Sequence, residues 1–313
     1  MKTQKHPLVN DQDLDIIGDI HGDASALIRL LGILGYEKAS GDAYRHPQGR
    51  TAIFVGDFID RGSEIVQTLR IVRSMVEAGS GVALMGNHEY NLLCLHHLVD
   101  GTPLKPEDKY GEHTETIHQF SAAGEDLHYW LDWFRSLPLF LETDLIRVVH
   151  ACWDATHIQV LRDRLPEGRL TPDLMNELVD RKSPLWRAVN CTLKGKEAEL
   201  PAGQANGSRN SLRVKWWQIS EVPTWSDVAF PNVQEPLAKQ PFDFALLDTP
   251  WLYPDTEKPV FFGHYMLLKP LHLPARNICC LDFGVAYGHK LASYRFDGSP
   301  LNQKLLVSTE ASF

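Results

Sequence analysis

This sequence lacks long apolar runs, paired cysteines and an excess of positive charge. No apolar stretch in its 313 residues is long enough to cross a bilayer, and the first residues carry no signal-peptide pattern. The five cysteines are odd in number and lack the spacing of a zinc finger or a disulfide framework. We therefore expect a cytoplasmic protein with reduced core thiols and no membrane partner.

The formal net charge of −9 argues against a protein that holds the backbone of nucleic acid. Such binding needs clustered lysine and arginine, so no nucleic-acid partner is expected. An anionic substrate is still compatible with this charge, because bound metal ions can reverse the charge of a site.

Buried strands alternate with amphipathic helices in the first third of the sequence. Apolar runs that end in polar residues lie at 14–19, 51–57 and 81–89, and each is typical of a buried strand. Apolar residues with helical spacing follow at 23–35 and 63–79. This order predicts an α/β fold with neighbouring parallel strands.

Strand patterns return in the second half of the sequence. Residues 138–154 predict a hairpin that turns at Thr143-Asp144, and residues 258–265 predict another buried strand. Two further runs, at 277–284 and 290–298, predict a terminal hairpin.

The remaining sequence is less regular. We expect two variable insertions, at about 100–135 and 155–240, in which helical patterns mix with polar connections. No linker-like stretch divides the chain, so we expect one domain over 1–313.

Polar residues, beside glycine in four of the five cases, follow five of the predicted strands. The segments are 18–22 (GDIHG), 56–62 (GDFIDRG), 86–89 (GNHE), 149–151 (VHA) and 263–265 (GHY). Because functional groups of open α/β sheets gather at the carboxyl ends of strands, we expect these side chains to lie together. Glycine beside them permits tight turns and a close approach of the backbone.

The strand-end residues carry carboxylate, amide and imidazole groups, on Asp19, His21, Asp57, Asn87, His150 and His264. This donor set suits Mn, Fe, Co or Zn better than Mg or Ca. With one shared carboxylate it suffices for two ions about 3.5–4 Å apart, which can clamp a phosphate and activate a water. Arg61 offers a planar fork for phosphate oxygens. His88 can protonate a leaving oxygen while Asp60 orients its ring.

The order GDxHG, GDxxDRG, GNHE, H-[GA] and GH resembles the calcineurin-like metallophosphoesterases, and within them the bacterial and phage-type branch of the phosphoprotein phosphatase (PPP) family. The resemblance is close over 14–98 and looser over 138–154 and 258–296. It implies a four-layer α/β fold, a β-sandwich with α-helices on both outer faces, carrying helical cap-like insertions.

The same resemblance implies a role for each motif residue. Asp19 and His21 bind the first metal, Asp57 bridges both metals, and the second metal is bound by Asn87, His150 and His264. Arg61 and Asn87 contact the phosphate, and His88 is the general acid with Asp60 as its partner. The implied reaction is direct in-line attack by a metal-bridging hydroxide. We expect two divalent ions, Mn²⁺ first, with Fe, Zn, Co or Ni as alternatives.

Several positions stay open at this stage. A second phosphate-binding arginine is to be sought among Arg187, Arg209 and Arg213. Cys152 stands where relatives usually have glycine, and His289 replaces the second glycine of a YGGKL-type tail. Five further histidines are expected on the surface or in packing, namely His96, His97, His113, His118 and His128.

Three functions compete. The first is hydrolysis of phosphate monoesters, as by a protein Ser/Thr phosphatase, with a phosphorylated protein or a small phosphate compound as substrate. The second is hydrolysis of a nucleotide substrate, as by the symmetrical bis(5'-nucleosyl)-tetraphosphatases; we rank it lower because those enzymes often carry Gln and Asn at the positions of His21 and Asp60. The third is a metal-free binding scaffold, which the complete ligand set disfavours.

Overall fold

Two β-sheets form the centre of the computed structural model, which describes residues 10–105, 111–201, 210–217, 222–249, 253–267 and 271–309. The five-stranded sheet has the spatial order β16 (Leu306–Ser308), β15 (Ala292–Phe296), β1 (Leu14–Ile17), β4 (Thr51–Phe54) and β5 (Gly81–Ala83). The four-stranded sheet has the order β14 (Ile278–Cys280), β13 (Val260–Phe262), β9 (Arg147–Val149) and β8 (Phe140–Glu142).

Parallel strands lie at the centre of both sheets. In the first sheet β1, β4 and β5 run parallel, whereas β15 runs antiparallel to β1. In the second sheet β9, β13 and β14 run parallel, and β8 is antiparallel to β9. The carboxyl ends of five strands can therefore carry residues to one end of the molecule.

The two sheets pack face to face through alternate residues of their strands. Ile16, Ile53 and Phe261 lie in the apolar core between the sheets. Their chain neighbours Ile17 and Phe54 belong instead to the larger core that includes the helices. This alternation follows from the two-residue period of a strand. The structure confirms the predicted sandwich with helices flanking the sheets.

The helices in the described residues are α1 (Ala24–Leu34), α2 (Ile65–Glu77), α3 (Asn87–His96), α4 (Thr114–Ala123), α5 (Leu127–Ser136), α6 (Ala155–Arg164), α7 (Pro172–Glu177), α8 (Pro184–Lys194) and α9 (Trp225–Val228). α2 packs against β5, and α6 packs against α8. The backbone N–H of Ala151, just after β9, donates to the carbonyl of Thr192 in α8 and ties that helix pair to the four-stranded sheet. Among the described residues, none of the helices combines the length and apolarity that a membrane crossing requires.

Smaller elements complete the fold. Short strand pairs are β2 (Glu37–Lys38) with β3 (Tyr44–Arg45) and β6 (Leu98–Val99) with β7 (Thr102–Pro103), and a third small sheet joins β10 (Glu197–Glu199), β11 (Ser211–Val214) and β12 (Ala229–Phe230). The third sheet has its own apolar cluster around Leu212, Trp225 and Phe242. The insertion at 155–240 thus mixes helices with a small sheet, because β10, β11 and β12 follow α8 and the short helix α9 lies between β11 and β12.

The predicted terminal hairpin is wrong. Residues 277–284 contribute β14, which pairs with β13, whereas residues 290–298 contribute β15, which pairs with β1 in the other sheet. Two apolar runs joined by glycines look the same in sequence whether they pair with each other or with distant strands. The hairpin at 138–154 is confirmed, since β8 pairs with β9 and the N–H of Thr143 donates to the carbonyl of Ile146 over 2.9 Å.

All five cysteines are buried and free, as expected for reduced thiols. Cys279 lies in the core between the sheets and Cys280 lies on the helix side, because adjacent residues of a strand point to opposite faces. Cys152 is fully buried, and its thiol forms a hydrogen bond with the thiol of Cys191. This position favours packing over a role beside the strand-end residues.

A buried ion pair joins α6 to the segment before β10. Lys196 Nζ lies 2.7 Å from Asp154 Oδ2, and both side chains are almost completely buried. Asp154 also accepts from the N–H of His157, which caps α6, and from the Thr249 hydroxyl. Burial raises the pKa of Asp154, but the Lys196 charge and the hydrogen bonds from Lys196, His157 and Thr249 together outweigh it and lower the pKa.

Asp154→Asn is therefore expected to lower the free energy of unfolding by about 3 kcal/mol, because it removes the carboxylate charge that lies 2.7 Å from the buried ammonium of Lys196. A depressed pKa contributes stability above the unfolded value of about 3.9 and loses it as pH falls through the folded value. The variant should accordingly lose less stability than the wild type on acidification through that range. Urea unfolding at several pH values tests this, with exposed Asp163→Asn on the same helix as the control. Equal unfolding of wild type and Asp154→Asn would contradict it.

Candidate metal centre

The carboxyl ends of five parallel strands bring the predicted residues together. Asp19, Asp57 and Asn87 follow β1, β4 and β5, and His150 and His264 follow β9 and β13. Residues from both sheets touch: His150 Nε2 lies 3.0 Å from Asn87 Oδ1 and 3.3 Å from Asp57 Oδ1. The N–H of His264 donates to Asp19 Oδ2 over 2.9 Å. The sandwich thus closes its two sheets around one polar site.

Asp57 lies at the centre of this site. Its carboxylate belongs to two groups of potential ligands, one with His21 and His88 and one with His150 and His264, and the ligand atoms of each group lie within 4.8 Å of one another. Asp57 Oδ2 faces His21 at 3.5 Å, and Oδ1 faces His150 at 3.3 Å. One carboxylate with an oxygen toward each group is the arrangement that a bridging ligand of two ions requires.

The backbone of the site is strained. Positive φ angles occur at His21 (46°), Asp57 (55°), Asp60 (68°), Arg61 (70°) and His264 (63°). Non-glycine residues rarely adopt this region, and surrounding structure must stabilise it when they do. Its concentration at the predicted residues supports a functional site.

Two glycines permit the close approach of these loops. A Cβ atom on Gly263 would lie 1.7 Å from Asp19 Oδ1, and one on Gly86 would lie 2.2 Å from Asp57 Oδ1. Any side chain at either position would displace a carboxylate. The glycines in GH and GNHE are therefore required by the packing of acidic side chains against backbone.

Backbone carbonyls orient three histidine rings. His21 Nδ1 lies 3.0 Å from the Ile59 carbonyl, His150 Nδ1 lies 2.9 Å from that of Val55, and His264 Nε2 lies 3.1 Å from that of Lys194. In each pair the ring N–H donates to the carbonyl, so the other nitrogen carries the lone pair whenever the ring is neutral. Such hydrogen bonds are the usual way in which a protein prepares a histidine to bind a metal.

The residues present fit two divalent cations. Asp19 Oδ1 is buried and has no hydrogen-bond partner in the described structure, which is costly for a carboxylate unless a cation satisfies it. Burial, and then the nearby Asp282, raise the pKa of Asp19 well above its usual value. The donor set of carboxylate, amide and imidazole is the one preferred by first-row transition metals.

The buried groups of the site shift one another's pKa values in opposite directions. Burial raises the pKa of Asp57, but His150 and His88 outweigh it and hold the pKa well below its usual range. Burial lowers the pKa of His150, yet Asp57 raises it overall to about 9. Burial, followed by the charge of His88, lowers the pKa of His21 to about 3, so this ring is neutral at pH 7. The potential that favours a proton on His150 equally favours a metal cation.

His88 faces a different partner from the other three rings. Its Nδ1 lies 2.6 Å from Asp60 Oδ2, and its Nε2 points to Arg61 at 3.2 Å. Burial lowers the pKa of His88, but Asp57 and Asp60 outweigh it and the pKa is raised. Asp60 therefore lies within hydrogen-bonding distance of the ring that the sequence predicts it to orient. Arg61 also lies 2.8 Å from His21 Nε2, between the two rings.

Two residues that contact Asp60 were not recognised from the sequence. His113, expected to be a packing residue, is buried and its Nδ1 lies 2.9 Å from Asp60 Oδ2. The Thr116 hydroxyl donates to Asp60 Oδ1 over 2.5 Å. Burial raises the pKa of Asp60, but hydrogen bonds from His113 and His88 lower it to about 2. The spacing of His113 and Thr116 places both on one face of a helix, but nothing in the sequence links that face to Asp60.

His113→Ala is expected to lower turnover about 10- to 100-fold, the usual effect of removing an outer partner that orients a functional group. Asp60 loses a donor and holds the His88 ring less firmly. Exposed His118→Ala, on the same helix α4, is the control and should keep full activity. Steady-state kinetics and thermal unfolding of both variants test this, and unchanged turnover in His113→Ala would contradict it.

Glu89, the last residue of GNHE, is a further missed residue. It is completely buried, and its carboxylate accepts backbone N–H groups at four positions, Gly86, Asp57, Phe58 and Ile59, over 2.8–3.3 Å. Burial, followed by Asp57, raises its pKa to about 7. Its position in the first turn of α3, where a glutamate closes a capping box, is a signal that sequence reading could have used.

Asp282 follows β14 and was also missed. It is buried, and its Oδ1 accepts the N–H of Gly284 over 2.9 Å. The rule that found the other strand-end residues applies equally to Asp282 in the run ICCLDFG.

The structure separates the three candidate arginines. Arg213 lies beside the site: its charge, after burial, lowers the pKa of His264, and its guanidinium carbon is 5.5 Å from the centre of the Tyr265 ring. Arg187 is exposed and near Asp248. Arg209 lies outside the described residues. His289 is exposed.

Comparisons with known proteins agree with this geometry. The family model of calcineurin-like phosphoesterases matches residues 14–222. The chain is 30% identical over 188 residues to the asymmetrical bis(5'-nucleosyl)-tetraphosphatase PrpE of Halalkalibacterium halodurans, a match that covers 58% of this chain and 74% of the relative. It is 24% identical to the symmetrical bis(5'-nucleosyl)-tetraphosphatase of Actinobacillus succinogenes over 95% of this chain and 98% of the relative. Some other curated tetraphosphatases are matched over only about half of their length.

A solved structure shares the fold. A protein serine/threonine phosphatase from Saccharomyces cerevisiae superposes with a TM-score of 0.50 at 15% identity, over 97% of this chain and 81% of that one. From the matched family model and the metal-binding geometry we conclude that this chain is a metal-dependent phosphoric ester hydrolase and belongs to the calcineurin-like phosphoesterase family.

Proposed function

We propose that this chain hydrolyses dinucleoside polyphosphates at a centre of two divalent metal ions. The observation that carries the chemistry is the position of Asp57, whose two oxygens face two separate groups of ligands. The substrate class is supported by the similarity to curated bis(5'-nucleosyl)-tetraphosphatases. These relatives favour a nucleotide substrate, the second of the three functions inferred from the sequence, over a phosphate monoester, which was the first.

In this proposal Asp19 and His21 hold one ion, and Asn87, His150 and His264 hold the other, with Asp57 shared. Bound there, the ions would neutralise phosphate charge and lower the pKa of a water molecule. We expect Mn²⁺ among the transition metals that fit this donor set.

The remaining residues bind the phosphate and supply a proton. Arg61 presents a guanidinium whose planar fork matches two phosphate oxygens, and Asn87 is the second predicted contact. His88 donates its proton to the leaving oxygen while Asp60 holds the ring. Arg213, beside His264, is the best placed of the three candidates for a second phosphate-binding arginine.

Hydrolysis of phosphate monoesters is a second candidate, favoured by one observation. Asp60 accepts hydrogen bonds from His88, His113 and Thr116, so the His88 ring is firmly oriented as a proton donor. A poor leaving group such as a serine alkoxide needs that proton more than a nucleoside phosphate does.

We further propose a single domain over 1–313 and a cytoplasmic location. The first rests on the shared apolar core that unites sheets and helices. The second rests on the five buried free thiols, which are typical of a reducing compartment.

The deciding experiment incubates the manganese-loaded chain with diadenosine tetraphosphate, a phosphothreonine peptide and para-nitrophenyl phosphate, with Asp57→Asn as the blank. Chromatography should show ADP alone for symmetrical cleavage, or ATP with AMP for asymmetrical cleavage. Turnover of the peptide without formation of nucleotide products would favour the second candidate function, hydrolysis of phosphate monoesters. No turnover of any substrate with two metals bound would overturn both.

A further inference from the structure

An exposed aromatic ring lies beside the predicted phosphate-binding arginine. Tyr287 is 58% exposed, far more than a core residue. The guanidinium carbon of Arg61 lies 5.4 Å from the centre of its ring, within the range of a cation–π contact. A single exposed aromatic needs no explanation by itself, but this one stands next to the metal-ligand cluster.

The backbone holds Tyr287 in a short, well-bonded turn. The 3₁₀ turn Val285–Tyr287 is bounded by Gly284 and Gly288, both in the left-handed region with φ of 71° and 78°. The N–H of Tyr287 donates to the Gly284 carbonyl over 2.9 Å, and Asp282 accepts the Gly284 N–H. Because buried Val285 anchors the same turn, the ring is presented at the surface by a preorganised segment, which limits the entropy lost on binding.

We propose that Tyr287 and Arg61 form a subsite for a nucleoside phosphate, in which the tyrosine ring stacks on the base and the guanidinium binds the phosphate. Aromatic side chains stack on nucleobases whatever the base. This inference rests on the proposed function and adds the part of the substrate that the metal centre does not touch.

The spacing favours a nucleoside over a ring bonded directly to the phosphate. Arg61 lies 2.8 Å from His21, and Tyr287 lies on Arg61. The guanidinium of Arg61 therefore lies between the Tyr287 ring and the ligand cluster. In a nucleotide the ribose separates base from phosphate in a comparable way, whereas an aryl phosphate keeps its ring at the ester oxygen.

The test measures binding by calorimetry to the full, manganese-loaded chain. Its probes are ADP and pyrophosphate, which share a diphosphate and differ by the nucleoside. Tyr287→Ala should weaken ADP binding roughly 5- to 150-fold, the range that corresponds to one base–aromatic stack. Its affinity for pyrophosphate should stay within about twofold, and Tyr287→Trp should bind ADP at least as well as the wild type.

A matched control exists elsewhere on the chain. Tyr129 of α5 is 48% exposed and also stacks on an arginine, Arg73, at 4.0 Å. Neither α5 nor the helix of Arg73 supplies a predicted ligand, so Tyr129→Ala should change the affinity for neither probe.

Each alternative has its own result. Equal weakening of ADP and pyrophosphate by Tyr287→Ala would mean that the ring only positions Arg61, and would overturn the subsite. Unchanged binding of both probes would also overturn it. So would a result in which Tyr287→Ala weakens the binding of phenyl phosphate, used as a third probe, and leaves the binding of ADP unchanged. Because binding is measured without turnover, failure to hydrolyse diadenosine tetraphosphate with the ADP preference intact would overturn the proposed function and leave the subsite standing.

Discussion

Asp57→Asn is expected to reduce the metal content below two ions per chain and to lower turnover about a thousandfold or more. Asp57 faces both ligand groups, so its replacement removes a charged ligand from each ion. A metal that stabilises charge in the transition state contributes several kcal/mol, and each 1.36 kcal/mol corresponds to a factor of ten in rate. Elemental analysis and steady-state kinetics of the same preparation measure both effects.

The control for Asp57→Asn is Asp132→Asn, a replacement of an exposed aspartate on α5. It removes the same charge and should change neither metal content nor rate. Circular dichroism checks that both variants fold. Two ions and full turnover in Asp57→Asn would contradict the role of Asp57 as the shared ligand.

His88→Asn is expected to lower turnover 10²- to 10⁴-fold on a substrate with a poor leaving group, the usual contribution of a general acid. The effect should be much smaller when the leaving group is already acidic. Phenyl phosphate and para-nitrophenyl phosphate have similar shapes, but their leaving groups differ in acidity. Phenol, the leaving group of phenyl phosphate, has a pKa of about 10, like that of tyrosine. The ratio of the two rates in wild type and variant isolates the proton donation.

The matched control is His96→Asn, on the same helix α3 but exposed. It should leave both rates unchanged. An equal loss on both esters in His88→Asn would mean that the ring positions Arg61, which lies 3.2 Å away, and donates no proton. No loss on either ester would remove His88 from the reaction altogether.

The strand-end residues could be predicted because each depends on a short stretch of sequence. An apolar run, a glycine and a carboxylate or amide side chain occur together at Asp19, Asp57 and Asn87, and neighbouring parallel strands must end at the same edge of a sheet. The structure brings these residues together with His150 and His264, while their roles as ligands stay predictions until metal is measured.

Other features are visible in the sequence but only tertiary structure connects them to the site. His113 and Thr116 come from a helix more than fifty positions beyond Asp60, and no local pattern shows which carboxylate they reach. The insertion at 155–240 contains a small sheet because its strands pair with one another across long connections. Tyr287 becomes notable only through its contact with Arg61.

Local sequence patterns predict the strands of the two large sheets apart from β16, most of the polar residues at their ends and the chemistry that those residues offer. Only the tertiary structure decided that β14 and β15 join different sheets, that His88 shares Asp60 with His113, and that Glu89 binds the backbone around Asp57. The physical reason is the distance along the chain over which each interaction acts. Hydrophobic period and turn residues act over a few positions, whereas strand pairing and buried polar contacts are chosen by the packing of the whole chain.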